Sequence, residues 1–307
     1  MHHHFLQIRI DTMPTLNHTD QTEIHSKVIL PKMTPKIILY RNFPPTPNHT
    51  WSPFVNKLET RLRLSSVHYT TAPGSLSQSP NSKIPYISYQ SSPTSTPELL
   101  SDSTLITHRL VFDSVLPDLN AHLSPVEKAL DLSIRSLLED KLQFFNTREQ
   151  WVDNYYPMRE GILGSGGAGL PWVMQWLIGG KIYKDIIRTL YGQGTGRYSP
   201  KEVRVLKEEI WESVNAFLVE GRNKTLAARR QGGEEMKGGG EPFWILGGNG
   251  PTEADCTVYG MVVGRLMCST AASETGRLVR SYSVLVDYAR RIHGRYFSNY
   301  DLWEEEI

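Results

Sequence analysis

Strand signals in this chain stop at Pro117. Before it, short β-branched and aromatic runs alternate with amphipathic helix patterns; after it, every apolar repeat takes the three- and four-residue steps of a helix. Such a chain is expected to fold as a small α/β unit followed by an all-α one. With 307 residues and 39% apolar side chains there is enough material for both cores.

The first half can be read element by element. Ile37 to Tyr40 has the length and branching of a buried strand. From Pro53, the positions Phe54, Val55, Leu58 and Leu62 mark one face of a helix, with Lys57, Glu59, Arg61 and Arg63 between them. Ser52 suits its N-cap, and Pro53 its first position, where a missing N–H has no partner to lose. Val67, Tyr69 and Thr71 alternate as a second strand would. Ile84 to Tyr89 and Glu98 to Leu100 read as a strand pair across the Ser/Pro/Thr-rich loop Gln90 to Pro97. Ser101-Asp102-Ser103 then caps a helix carrying Leu105, Ile106, Leu110 and Val111. The α/β unit therefore spans residues 36–116.

Residues 117–307 form the all-helical part, with periodic stretches at Glu127–Phe145, Trp172–Leu190, Pro200–Leu218, Glu253–Met267 and Tyr282–Tyr296. The glycine-rich stretch within 222–241 is expected to be a flexible insertion between two helices. Thr252 and Asp255, three apart after Pro251, read as a reciprocal helix cap. Gly192 to Arg197 follows a helix rather than a strand, so it reads as a helix stop and not a nucleotide loop. Trp172, Trp176 and Tyr183 recur at helical steps and read as core.

Residues 1–35 are polar, lack the pattern of a secretory signal, and predict a disordered N-terminal segment whose His2, His3 and His4 are set aside from fold reasoning. A net charge of +1 offers no basic face for nucleic acid. Cys256 and Cys268 are too few for a disulfide framework and read as buried small apolar residues in a reducing compartment. The run Tyr259 to Ala272, broken by Arg265, falls short of the roughly 20 residues needed to cross a bilayer. A soluble, cytoplasmic protein with no metal site and no transmembrane segment is expected.

Several stretches together resemble the glutathione S-transferase superfamily. Ser52-Pro53-Phe54-Val55 is similar to the turn where thioredoxin-like proteins carry their redox or glutathione-activating residue. Lys83-Ile84-Pro85-Tyr86-Ile87 resembles the family's strand opening with a cis-proline, and Ser101 to Ile106 its acidic-serine pair. SPFVNKLETRLR, SKIPYI, LLSDSTLI, GQGTGRYS and RYFSNYD are similar to the branch containing the failed axon connections proteins and the metaxins.

The resemblance implies a thioredoxin-like N-terminal domain followed by a glutathione transferase C-terminal domain. It also implies glutathione as ligand or substrate, attacking a small apolar electrophile in a detoxification-type conjugation. Ser52 would be the catalytic hydroxyl, with Lys83, Ile84, Pro85, Asp102 and Ser103 holding glutathione. Trp151, Tyr155 and Tyr156 are candidates for the electrophile pocket. Dimerisation is common in the wider group, which makes a homodimer one implied partner. Metaxins use the same scaffold for mitochondrial import and binding, so a non-catalytic interaction protein peripheral to mitochondria is the alternative. Structural readings stand beside these roles: Ser52 as a plain N-cap, Pro85 as an ordinary trans proline, Asp102 and Ser103 as a capping pair, and Lys83 as solvated surface. Val55 stands where the branch often has cysteine, which removes thiol–disulfide exchange at this turn.

Overall fold

Strand β1 (Lys36–Arg41) is central because both of its edges find partners. It pairs in parallel with β2 (Thr70–Pro73) and antiparallel with β3 (Tyr86–Gln90), which in turn pairs antiparallel with β4 (Glu98–Ser101). The order is β2-β1-β3-β4 in one four-stranded mixed sheet. The parallel pair requires a crossover, supplied by helix α1 (Pro53–Leu64). Helix α2 (Ser103–Phe112) follows β4, and Leu58, Leu62, Ile106 and Leu110 pack with Ile37, Leu39 and Ile87 of the sheet. The computed structural model describes residues 35–164, 167–231 and 240–303, so the expectation for the first 34 residues lies outside the described ones.

Helix α3 (Pro125–Ser136) opens with a Ser124/Glu127 capping box and continues through a π-helical turn (Leu137–Leu142), α4 (Gln143–Arg148) and a second π-helical turn (Glu149–Asp153). Then come α5 (Tyr155–Leu163), α6 (Trp172–Gln193), α7 (Pro200–Gln231), α8 (Glu253–Met267), α9 (Ser273–Ser281) and α10 (Ser283–Tyr296). The fold is thus a four-stranded mixed sheet with its helices, followed by a mostly helical region. No strand occurs after β4 among the described residues.

Three details depart from the sequence reading. Helix α7 runs to Gln231, so residues 222–231 are helical and not part of an insertion; glycine begins only at Gly232, and residues 232–239 lie outside those described. Helices α5 and α9, of nine residues each, are too short to show a full amphipathic repeat in the sequence. Trp172 and Trp176 are 76% and 63% exposed, so they are not core residues. Helix α6 buries Gln175 and Gly179 beside them and leaves both indoles uncovered on its first turns.

Helix α8 sits at the centre of the helical part, buried along most of its length. The Asp255 carboxylate accepts from the amides of Thr252 and Ile245, each at 2.8 Å, and from the Tyr288 hydroxyl at 3.0 Å. Burial outweighs these bonds and pushes its pKa up to about 6.

A buried histidine pair joins the loop between β1 and α1 to α8 and α10. His49 Nε2 lies 3.2 Å from His293 Nδ1 and 3.2 Å from the Tyr259 hydroxyl, with Phe297 and Tyr300 against its ring. Burial, then His293, Arg41 and Arg63, hold the His49 imidazole well below its usual pKa of 6.5; Glu59 is the nearby anion, already bonded to Tyr69 and Tyr300. Since the unfolded chain takes up this proton first, stability is complete above about pH 6.5 and falls as pH drops below it. Urea midpoints should show that fall. It should be smaller in His49→Gln, and that difference isolates His49 from Asp255, whose raised pKa acts with the opposite sign in both proteins.

Candidate active site

The loop from β1 to α1 is fixed by one buried side chain. Asn56 accepts from the Thr50 amide at 2.9 Å and donates to the Thr50 carbonyl at 2.8 Å, folding residues 50–52 onto the first turn of α1. Thr50 is fully buried, and its hydroxyl is within bonding distance of the Ser52 carbonyl at 3.1 Å. That leaves Ser52 as the half-buried hydroxyl at the helix mouth. It is the N-cap of α1, and its Oγ accepts from the Val55 amide at 3.5 Å. An accepting hydroxyl keeps its own proton to donate elsewhere.

Behind the turn, the Trp51 indole lies edge-on to Phe43 with centroids 5.1 Å apart. It also fills the space above Gly161, where a Cβ would come within 2.1 Å of the ring. The Trp51 carbonyl accepts from Arg265 Nη2 at 3.2 Å. Arg265 is fully buried, makes no salt bridge among the described residues, and has its pKa lowered by burial. A desolvated cation therefore stands directly behind the residue that precedes Ser52.

Ser52 opens onto a cavity of about 960 Å³ between the sheet-bearing part and the helices. Ile84 borders it on one side, and Gln150, Trp151, Met158 and Ile162 on the other. The Ile84–Pro85 peptide is cis, and Pro85 is buried at the start of β3 without lining the cavity.

The remaining sequence candidates are placed differently. Lys83 Nζ pairs with Asp102 Oδ2 at 2.9 Å. Asp102, at φ +76, also accepts through Oδ1 from the amides of Thr104 at 3.1 Å and Leu105 at 3.3 Å, which makes it the N-cap of α2. Burial would raise its pKa, but the Lys83 bond and these amides outweigh burial and hold the carboxyl below its ordinary value. Ser103 is buried as the first residue of α2. Lys83, Asp102 and Ser103 thus form one cluster at the start of α2, while Ser52 and Ile84 share the cavity wall; none of the three lines that cavity. Trp151 does line it. Tyr155 and Tyr156 do not, because Tyr155 stacks edge-on to Tyr183 at 5.3 Å and reaches into the gap at Gly179, while Tyr156 is 71% exposed.

Sequence reading missed Asn56, Arg265 and Gln150. Asn56 left one trace, a short polar residue on a helix face otherwise buried. Arg265 was noticed only as an interruption of an apolar run.

Residues 53–156 match the family model of the glutathione S-transferase N-terminal domain. Among solved structures, the chain is similar to a glutathione transferase from Phanerochaete chrysosporium, with 14% identity over 85% of this chain and 98% of that one and a TM-score of 0.52. It is also similar to a glutathione transferase family member from Pseudomonas fluorescens, solved with two glutathione molecules bound, with 13% identity over 85% and 89% of the two chains and a TM-score of 0.47. The fold is glutathione transferase-like: a thioredoxin-like sheet followed by a mostly helical region.

Asn56→Ala should cost about 2 kcal/mol or more, because it strands the buried N–H and C=O of Thr50. Urea unfolding measures this, and the loss should exceed that of Thr50→Val, which removes only a hydroxyl bond.

Proposed function

We propose that the protein binds glutathione in this cavity and stabilises its thiolate for attack on an apolar electrophile. One observation carries the reading: at the mouth of α1, Thr50 is buried and committed, while Ser52 faces the cavity with a proton to donate. A thiol of pKa about 8.5 is mostly protonated at neutral pH, and lowering it by about two units takes roughly 2.7 kcal/mol. A hydroxyl bond to the ionised sulfur supplies about 1.5 to 3 kcal/mol, and the helix N-terminus about 0.3 to 1 more. The sulfur gives its proton to solvent, bonds to the electrophile and expels the leaving group, with no covalent enzyme intermediate. Arg265 adds positive potential behind the same turn.

Around the sulfur, the Ile84 backbone beside the cis peptide pairs with the cysteinyl part of glutathione, and Trp151, Met158 and Ile162 hold the apolar electrophile. The γ-glutamyl end leaves the cavity for the start of α2, where the family resemblance assigns its carboxylate to Ser103 and its ammonium to Asp102. Binding then requires Lys83 to exchange Asp102 for a glutathione carboxylate. The pair is solvent-exposed and of low net worth, so the exchange costs little. Membership of the failed axon connections branch, a cytoplasmic location and a homodimer belong to the same proposal.

The alternative, a metaxin-like interaction protein, is favoured by one specific observation. Asp102 already occupies the first amides of α2 and already has its cation, so the protein fills with its own groups the places a γ-glutamyl end would take.

Titration calorimetry with glutathione and S-alkyl glutathione separates the two: binding is expected, and none at millimolar concentration excludes the transferase reading. Ser52→Ala should keep binding while the pKa of the bound thiol rises by about one to two units, followed by thiolate absorbance.

A further inference from the structure

One surface feature is left unexplained by the candidate site: the apolar first turns of α6. Residues 161–180 contain no Asp, Glu, Lys, Arg or His. On the first turns of α6, Trp172 is 76% exposed, Trp176 63%, Leu177 53%, Val173 45% and Met174 44%. Exposed apolar side chains scattered singly need no explanation, whereas five within six consecutive positions do.

These turns are held against α5. Gln175 donates to the Leu170 carbonyl at 2.9 Å, and Gly179 lets α6 approach Tyr155 and Arg159 of α5 so closely that a Cβ there would lie 2.8 Å from the Tyr155 hydroxyl. At 100° per residue, Gln175, Gly179 and Ile182 share the inward face of α6. Val173 and Leu177 point the opposite way, and the same outward face continues into Lys181, Lys184 and Arg188. Those three cations are met on the helix by one acid, Asp185, which pairs with Arg188 at 3.4 Å. Tryptophan and aliphatic side chains at the end, with net positive charge directly behind them, match the cross-section of a membrane surface: acyl boundary first, then anionic headgroups. No helix among the described residues is long and apolar enough to cross a bilayer, so the contact is one of lying on the surface.

The geometry points to a membrane-docking site at the start of α6, in which Trp172, Val173, Trp176 and Leu177 enter the interface of an anionic phospholipid surface and Lys181 and Lys184 meet its headgroups. This site is independent of the glutathione reading.

The test is sedimentation of the full-length protein with vesicles of phosphatidylcholine containing phosphatidylserine, against vesicles of phosphatidylcholine alone. Wild type should bind the anionic vesicles more tightly. Trp172→Ser with Trp176→Ser should lower the partition coefficient about tenfold or more. Lys181→Ala and Lys184→Ala should lower it about fivefold each on anionic vesicles only. Circular dichroism melting of each variant should match wild type because these side chains are exposed, and Leu177→Gln provides a second apolar variant should the tryptophan pair not fold. Absence of wild-type binding, binding indifferent to phosphatidylserine, or equal binding by the tryptophan and Leu177 variants would overturn the assignment. So would self-association through the same residues without vesicle binding.

Discussion

The structure depends on the contact between α1 and α8. Gly260 lets the two backbones meet so closely that a Cβ would stand 2.5 Å from the Pro53 carbonyl. No other side chain fits between them. With the sheet on one side and α8 on the other, α1 is enclosed all round, and this is why its polar residues are buried as well as its leucines. An enclosed helix carrying Asn, Lys, Glu and Arg is tolerable only when each finds a partner, because a stranded buried charge costs several kcal/mol.

The partners come largely from beyond the sheet. Lys57 meets Glu139 at 2.6 Å, and Arg61 meets Glu253 at 2.7 Å. Glu59 is held by Tyr69 at 2.8 Å, together with Tyr300 and Arg41. Arg63 spans Tyr69, the Tyr296 carbonyl and Asn299. The terminal segment RYFSNYD is thereby tied to β1 and α1. The two parts of the protein share one polar interface, and the cavity at the mouth of α1 lies beside it.

The chemistry of the site follows from the same enclosure. With Thr50 drawn inward by Asn56, the hydroxyl of Ser52 is the one left facing the cavity. Because Arg265 donates to the Trp51 carbonyl and makes no salt bridge among the described residues, the turn has a buried cation behind it, with Glu149 as a more distant counter-charge. Helix packing thus decides which hydroxyl is available and what field it sits in, and neither is a local property of the motif.

What was legible in the sequence was local. Period and branching located the four strands to within a few residues, Ser-Pro located the start of α1, and Thr252 with Asp255 located the start of α8, since each is set by backbone sterics and hydrogen bonds between near neighbours. The long helix α7 is cut short in the sequence reading because the apolar period fades after Leu218 and the polar, glycine-rich stretch 222–241 reads as an insertion; Gly221 between them also suggests a break. In the structure Gly221 is a close approach instead, with a Cβ there only 2.2 Å from the Trp244 carbonyl. Trp172 and Trp176 share a helix face with Gly179 and Leu190, which are buried, so spacing reads them inward; it does not say how far along the helix that face stays covered. That Lys83 lies on Asp102, that Tyr155 leaves the cavity for Tyr183, and that Arg265 stands behind Ser52 were decided only by the tertiary structure. These contacts join residues tens to hundreds of positions apart, and no pattern within one element encodes them.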